Sequence, residues 1–189
     1  MATLAFSMPI AIVEDRKALA GALRRRDPGV LDLLIAQYQY RLFRYLLYLT
    51  RDRETAEDLF QETWVRVLDR GAQYDGKARF ETWLFSIARH LVIDLQRRKK
   101  PEPLADLEDP ALDAPSPLDE FAESERSASV QAAMERLPAI HREVLLLRFQ
   151  EELQLEEIAG IAGVPLATVK SRLYRGLEML RTAMEGGGQ

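Results

Sequence analysis

Apolar residues recur at intervals of three and four along most of the chain, and no alternating stretch competes, so the pattern predicts an all-α protein. Leu31, Leu34, Ile35, Tyr38, Leu42, Tyr45, Leu46 and Leu49 share one face of a helix from Val30 to about Thr50. A shorter helix, about Arg16 to Arg26, precedes it and is closed by Asp27-Pro-Gly. Asp52 suits the N-cap of a helix over Arg53 to Arg70, with Glu54 and Glu57 in its first turn and Gly71 just past its end. The next helix runs from Phe80 to about Lys99. Its main stripe is Phe80, Trp83, Leu84, Ile87, Leu91 and Leu95, with Phe85 and Ile93 outside it. Two further helices follow, Pro138 to Gln150 and Gln154 to Ala162, the latter carrying Leu155, Ile158, Ala159 and Ala162.

Gly163-Val-Pro then leads into a final helix with two unlike faces. Leu166, Val169, Leu173, Leu177 and Leu180 fall in one sector, and Ser171, Tyr174, Arg175 and Glu178 in the opposite one. Gly163 tolerates a left-handed turn, and Pro165 loses nothing at a helix start because its missing N–H has no partner there. Helix, glycine turn and basic amphipathic helix together read as a DNA-binding helix-turn-helix. A helical hairpin with a solvated basic face is the plainer alternative.

Charge divides the chain. The net charge is −4, yet Pro101 to Ser127 holds nine acidic residues against one basic, Arg126, so the remainder sums to +4. This stretch also holds Pro101, Pro103, Pro110, Pro115 and Pro117 and reads as an acidic, Pro-rich flexible linker between two small helical domains. It is either a solvated tether or an acidic segment able to occupy a basic nucleic-acid channel. With 189 residues and 47% apolar content, two small cores are within reach. There is no cysteine, and the two histidines, His90 and His141, stand far apart, so neither a metal site nor histidine catalysis is expected. Met1 to Val13 is apolar but lacks a basic flank, is interrupted by Pro9 and reads as a tail or packing segment, not a signal peptide. With no run approaching the ~20 residues that span a bilayer, no membrane insertion is expected, and a soluble, cytoplasmic protein is.

Two helices carry faces suited to partners. Asp58, Gln61, Glu62, Val65 and Asp69 cluster on one side of the Arg53 to Arg70 helix, with Trp64 and Leu68 on its flank. That acidic face would repel DNA but suits a partner helix bearing arginines; equally, it could be a solvated face whose Trp64 packs internally. The Phe80 to Lys99 helix sets Thr82, Ser86, Arg89 and Gln96 around Phe85 and ends in Arg97-Arg-Lys-Lys100, which suits backbone tracking beside an unstacked base. Phe85 fits base stacking or a second packing contact, and the basic run could simply complement the helix dipole.

Taken jointly, the motifs resemble bacterial extracytoplasmic-function sigma factors. They are Thr55-Ala-Glu-Asp-Leu-Phe-Gln-Glu-Thr-Trp-Val-Arg-Val, Phe80-Glu-Thr-Trp-Leu-Phe-Ser-Ile-Ala-Arg-His-Leu-Val-Ile-Asp-Leu, Leu137-Pro with His141-Arg-Glu-Val-Leu-Leu-Leu-Arg148, and Val169-Lys-Ser-Arg-Leu173, in order across about residues 28 to 182. The resemblance implies an N-terminal segment and short helix (1–27), the family's second conserved region (28–100), the acidic linker (101–127), the fourth region (128–183) and a tail (184–189). It implies core RNA polymerase as partner, through its beta-prime clamp helices and beta flap, together with promoter DNA and an anti-sigma factor. Asp58, Gln61, Glu62, Trp64 and Leu68 would dock on the clamp helices. Arg79, Phe85, Arg89, His90, Arg97 and Arg98, with the loop around Tyr74 to Arg79, would recognise and melt the minus-ten element, where the family captures a flipped base. Lys170, Ser171, Tyr174 and Arg175 would read the minus-thirty-five element in the major groove, with Thr168 or Arg172 on phosphates. The linker would follow the RNA exit path. No catalytic residue, metal or cofactor is implied.

Three positions depart from the family pattern. His90 stands where Asn is common, Ala167 where Gly is frequent, and Glu152-Leu-Gln154 where a Gly-Leu-Ser start supplies a serine N-cap, which predicts a helix end weaker by up to ~1 kcal/mol. Two rival readings are a sigma-like decoy that binds anti-sigma factors without directing transcription, and a nucleic-acid-processing enzyme. The first fits poorly with the basic Lys170, Arg172 and Arg175, and the second with Asp58 and Glu62 being only an ordinary i, i+4 pair.

Overall fold

A computed structural model describes residues 15–99 and 125–185. The linker reading for 101–124, the apolar N-terminal stretch, Lys100 and the last four residues lie outside the described residues. Eight α-helices and no strand occur among those described.

Helix α1 spans Arg16–Arg24 and is capped by Asp15, whose carboxylate accepts from the N–H groups of Lys17 (3.0 Å) and Ala18 (3.2 Å). Asp27 repeats the device for α2, Pro28–Thr50, accepting from Gly29 and Val30. Asp-Pro-Gly therefore opens α2 as well as closing the segment before it. The helix starts two residues earlier than periodicity alone placed it, because capping residues carry no apolar signal. Arg51 closes α2 in the left-handed region (φ 55°). Asp52 then caps α3, Arg53–Arg70, through the Thr55 N–H at 2.8 Å.

Gly71 corrects one expectation. It is right-handed (φ −53°) and continues into a 3-10 turn, Gly71–Gln73, so its smallness serves packing and not a left-handed stop. A Cβ there would lie 3.1 Å from the Leu23 carbonyl oxygen of α1. Helix α4 follows, Phe80–Lys99. Leu34, Leu42, Tyr45 and Leu46 of α2, Ala56 and Val67 of α3, and Leu84, Phe85 and Ala88 of α4 are fully buried together. Each such leucine contributes about 1.5–3 kcal/mol of transfer free energy.

The second half comprises α5 (Glu125–Glu135), α6 (Ala139–Phe149), α7 (Leu155–Ala162) and α8 (Leu166–Glu185). Helix α5 begins inside the stretch read as linker. Gly163 takes the expected left-handed conformation (φ 66°) between α7 and α8 and donates to the Ala159 carbonyl at 2.9 Å. Gln154 starts α7 without a serine, yet its N–H donates to the Glu157 carboxylate at 2.9 Å, so the expected weakness is offset from within the first turn.

The two halves pack on one another. Helix α7 lies along α4, and α6 meets α2. Tyr45 and Phe85 stack edge-on at 5.0 Å beneath this contact.

Candidate nucleic-acid and protein interfaces

Helix α3 buries Ala56, Leu59, Thr63 and Val67, which turns Asp58, Gln61, Val65, Leu68 and Asp69 outward. Val65 and Leu68 are 48% and 39% exposed, while Glu62 is partly exposed and accepts from Arg66 at 2.7 Å. Among the described residues, an acidic face with two exposed aliphatic residues thus stands on the outside of the first half. Trp64 is not part of it. Its indole is buried, edge-on to Phe60 at 6.3 Å, and its Nε1 has no hydrogen-bond partner among the described residues. The position expected to flank the contact face is a core position, with Val65 on the surface beside it.

Helix α8 presents the second face. Val169, Leu173 and Gly176 anchor its inner side. Lys170, Ser171, Tyr174 and Arg175 are exposed, Tyr174 by 70%, and Thr168 and Arg172 lie at the margins. The Arg172 carbonyl lies 2.9 Å from Nδ1 of His141 in α6, which ties α8 to α6 through a buried side chain. Of the six residues expected on this face, four are exposed and two half-buried, and all lie off the buried side formed by Val169, Leu173 and Gly176.

The residues expected at the minus-ten element divide. His90, Arg97 and Arg98 are exposed along α4, His90 with Nδ1 2.7 Å from the Ser86 carbonyl. Phe85 is wholly buried against Tyr45 and cannot receive a base in this arrangement. Of its two alternatives, the packing contact is the one present in this arrangement. Arg89, 12% exposed in its side chain, donates from Nε to Glu143 of α6 at 2.8 Å. Arg79 donates to Glu81 at 2.9 Å and lies 4.0 Å from Glu157 of α7, which also accepts from the Thr82 hydroxyl at 2.9 Å. Carboxylates of the second half therefore occupy the basic and hydroxylated side of α4.

Three acids at this junction, Glu143, Glu151 and Glu157, escaped the sequence reading. Glu143 has a fully buried side chain and accepts on Oε1 from both Arg89 and the Tyr45 hydroxyl (2.9 Å). Glu151, equally buried, accepts from Arg41 (2.6 Å) and Arg44 (3.2 Å) of α2. The available signal was Glu143 standing before the apolar run Val144-Leu-Leu-Leu147, where a charge needs a partner. Burial, then the Glu143 charge, pushes the Tyr45 hydroxyl well above its usual range, so it stays a donor. Burial opposes ionisation of Glu81, but its own backbone N–H and the Arg79 guanidinium together hold its carboxyl below the usual value. Among the described residues no group of three metal-ligating side chains converges, and no helix is long and apolar enough to cross a membrane.

These surfaces match known sequences. The Sigma-70 region 2 model matches residues 34–102, and the Sigma-70, region 4 model matches residues 127–180. The ECF RNA polymerase sigma factor SigW of Bacillus subtilis is 30% identical over 170 residues, which span 84% of this chain and 91% of that protein. The chain belongs to the ECF RNA polymerase sigma factors. The ECF sigma factor SigE of Mycolicibacterium smegmatis is 38% identical over 155 residues, covering 79% of this chain and 60% of its own length. Two solved structures share the fold. CnrH, in complex with the cytosolic domain of CnrY, gives a TM-score of 0.66 at 21% identity and covers 91% of this chain and 97% of its own. The sigma factor RpoE of Bartonella quintana, in complex with the anti-sigma factor NepR, gives 0.64 at 19%, covering 82% and 96%. As an ECF sigma factor, the chain binds core RNA polymerase and directs initiation at promoters. The α7–α8 pair is its region 4 helix-turn-helix, and α2 to α4 form its region 2.

Proposed function

We propose that this sigma factor divides initiation between three faces. Asp58, Gln61, Glu62, Val65 and Leu68 of α3 dock on the clamp helices of the polymerase beta-prime subunit, with carboxylates pairing to arginines and the two aliphatic residues covered on docking. Residues 28–100 serve polymerase binding and promoter melting, 101–127 link, and 128–183 bind the minus-thirty-five element and the beta flap. Lys170, Ser171, Tyr174 and Arg175 reach base edges, with Thr168 and Arg172 on phosphates. Arg79, Arg89, His90, Arg97 and Arg98 engage the minus-ten element. The polymerase carries the chemistry, so the chain is not itself an enzyme, and it works in the cytoplasm.

The observation that carries this reading is the exposed row Lys170, Ser171, Tyr174 and Arg175 above the buried Val169 and Leu173. The free chain rests closed, with Glu143, Glu151 and Glu157 on the arginines and hydroxyls of α2 and α4. Promoter melting then requires region 4 to move off α4. An anti-sigma factor controls the step before polymerase binding; the NepR complex of RpoE supports such a partner.

Permanganate footprinting of core polymerase with this chain on a cognate promoter tests the assignment. Reactive thymines at the minus-ten element, lost with the Arg97→Ala and Arg98→Ala double variant, are expected. Polymerase binding with no opened promoter would favour an anti-sigma-binding decoy.

A further inference from the structure

Helix α1 lies before the region 2 match, which begins at residue 34, yet it holds the loop between α3 and α4. Leu19 and Leu23 are buried, and α1 runs against the 3-10 turn at Gly71. Three contacts fix the loop backbone to it. The first is the close approach of Gly71 to the Leu23 carbonyl already described. The second is Gly76 (φ 73°), where a Cβ would fall 2.7 Å from the Arg16 carbonyl oxygen, so any other residue would be both strained and blocked. The third is a hydrogen bond from Arg16 Nη1 to the Lys77 carbonyl at 3.1 Å. Within the loop, Tyr74 donates to the Ala78 carbonyl at 2.9 Å, and Asp75 accepts from the Lys77 N–H at 3.0 Å. Tyr74 is itself clamped between Phe80 and Trp83, at 5.8 and 5.3 Å.

The outer side of the same loop carries exposed charged side chains. Asp75 and Lys77 side chains are 55% and 88% exposed and, among the described residues, pair at 2.9 Å only with each other. A loop whose backbone is anchored from behind while its charged tip faces solvent is organised before its ligand arrives. It therefore loses less conformational freedom on binding than an unanchored loop would.

We propose that α1 is a positioning element for the minus-ten reading loop, with Arg16 as its positioning residue and the separated non-template strand as the ligand of the loop. This rests on the reading of residues 74–79 as part of the minus-ten surface. Arg16 touches no DNA; it sets the backbone at Lys77 and, through Gly76, the height of the tip.

The test uses the full chain with core polymerase on two templates, a duplex promoter and the same promoter with the minus-ten element pre-melted and its non-template bases varied. Arg16→Ala is expected to slow open-complex formation on the duplex about fivefold, the scale of one hydrogen bond, and to flatten the preference among minus-ten bases. Core affinity and the thermal midpoint stay at wild type, and Arg16→Lys, which can still donate to the carbonyl, restores most of the rate. Asp75→Ala with Lys77→Ala probes the loop itself. If that pair alters base preference while Arg16→Ala leaves rate and preference unchanged, the positioning role is overturned and the loop reading stands. If neither alters them, the loop does not read the minus-ten element and both fall.

Discussion

Arg89 of α4 and Glu143 of α6 meet at 2.8 Å across the junction of the two halves, the guanidinium donating to a carboxylate with no exposed surface. Tyr45 donates to the same oxygen, while the other oxygen, Oε2, has no partner among the described residues. A carboxylate so placed favours closure only while Arg89 faces it, and it is the kind of anion that a DNA phosphate can replace on that arginine.

Glu143→Ala is expected to weaken the closed arrangement by on the order of 3 kcal/mol, because Arg89 loses its buried counter-charge. Small-angle scattering of the free protein should show a larger radius of gyration, and the variant should bind single-stranded minus-ten DNA without polymerase more tightly than wild type. An unchanged radius and unchanged affinity would remove the closure from the mechanism.

On α3 two neighbouring positions should separate docking from folding. Asp58→Ala with Glu62→Ala is expected to weaken polymerase association while leaving the unfolding transition in place, since both side chains stand at the surface. Trp64→Ala should instead cost about 3–5 kcal/mol of stability, as a buried aromatic does. Polymerase affinity by interferometry, alongside thermal melts, checks the pair; unchanged affinity in the double variant would sink the clamp-docking face.

Arg175 sits exposed on the outer side of α8, the side proposed to meet the minus-thirty-five element. If it contacts a base edge, Arg175→Ala costs about 1–3 kcal/mol in discrimination between the cognate minus-thirty-five element and single-base variants. Competition binding of the holoenzyme measures this. An equal loss on every sequence would assign Arg175 to the phosphate backbone.

Acid sensitivity should pass through Glu81. Its folded-state carboxyl is depressed by its own backbone N–H, by Arg79 and by Tyr38, against the opposing effect of burial. A depressed carboxyl contributes stability above its unfolded value, about 4.3, and loses that contribution as pH falls through the folded value. Glu81→Gln is therefore expected to melt below wild type at pH 7, with the gap narrowing from about pH 4 downward. A gap that stays constant to low pH would show that the ion pair does not set this sensitivity.

Much of this architecture was legible beforehand because capping and periodicity act locally. The bounds of α3 and α4, the Asp52 cap and the left-handed Gly163 all follow from short-range chemistry. Phe85 did not, because a helical wheel assumes one buried face, and α4 is covered on one side by α2 and α3 and on another by α7. Trp64 stood at the edge of two sectors, where spacing cannot say which way a large ring turns. Glu143 and Glu151 owe their burial to arginines about 50 to 110 positions away, which no local pattern encodes. The exposed outer side of α8 was legible since its inner side repeats cleanly at three and four.

Transcription of a fragmented source genome by sigma-free core polymerase, with and without this protein and with sequencing of RNA 5′ ends, shows whether the chain directs initiation. Discrete new start sites sharing two upstream elements at a fixed spacing are expected. Absence of new starts despite confirmed core binding, including with the Glu143→Ala variant, would contradict that role.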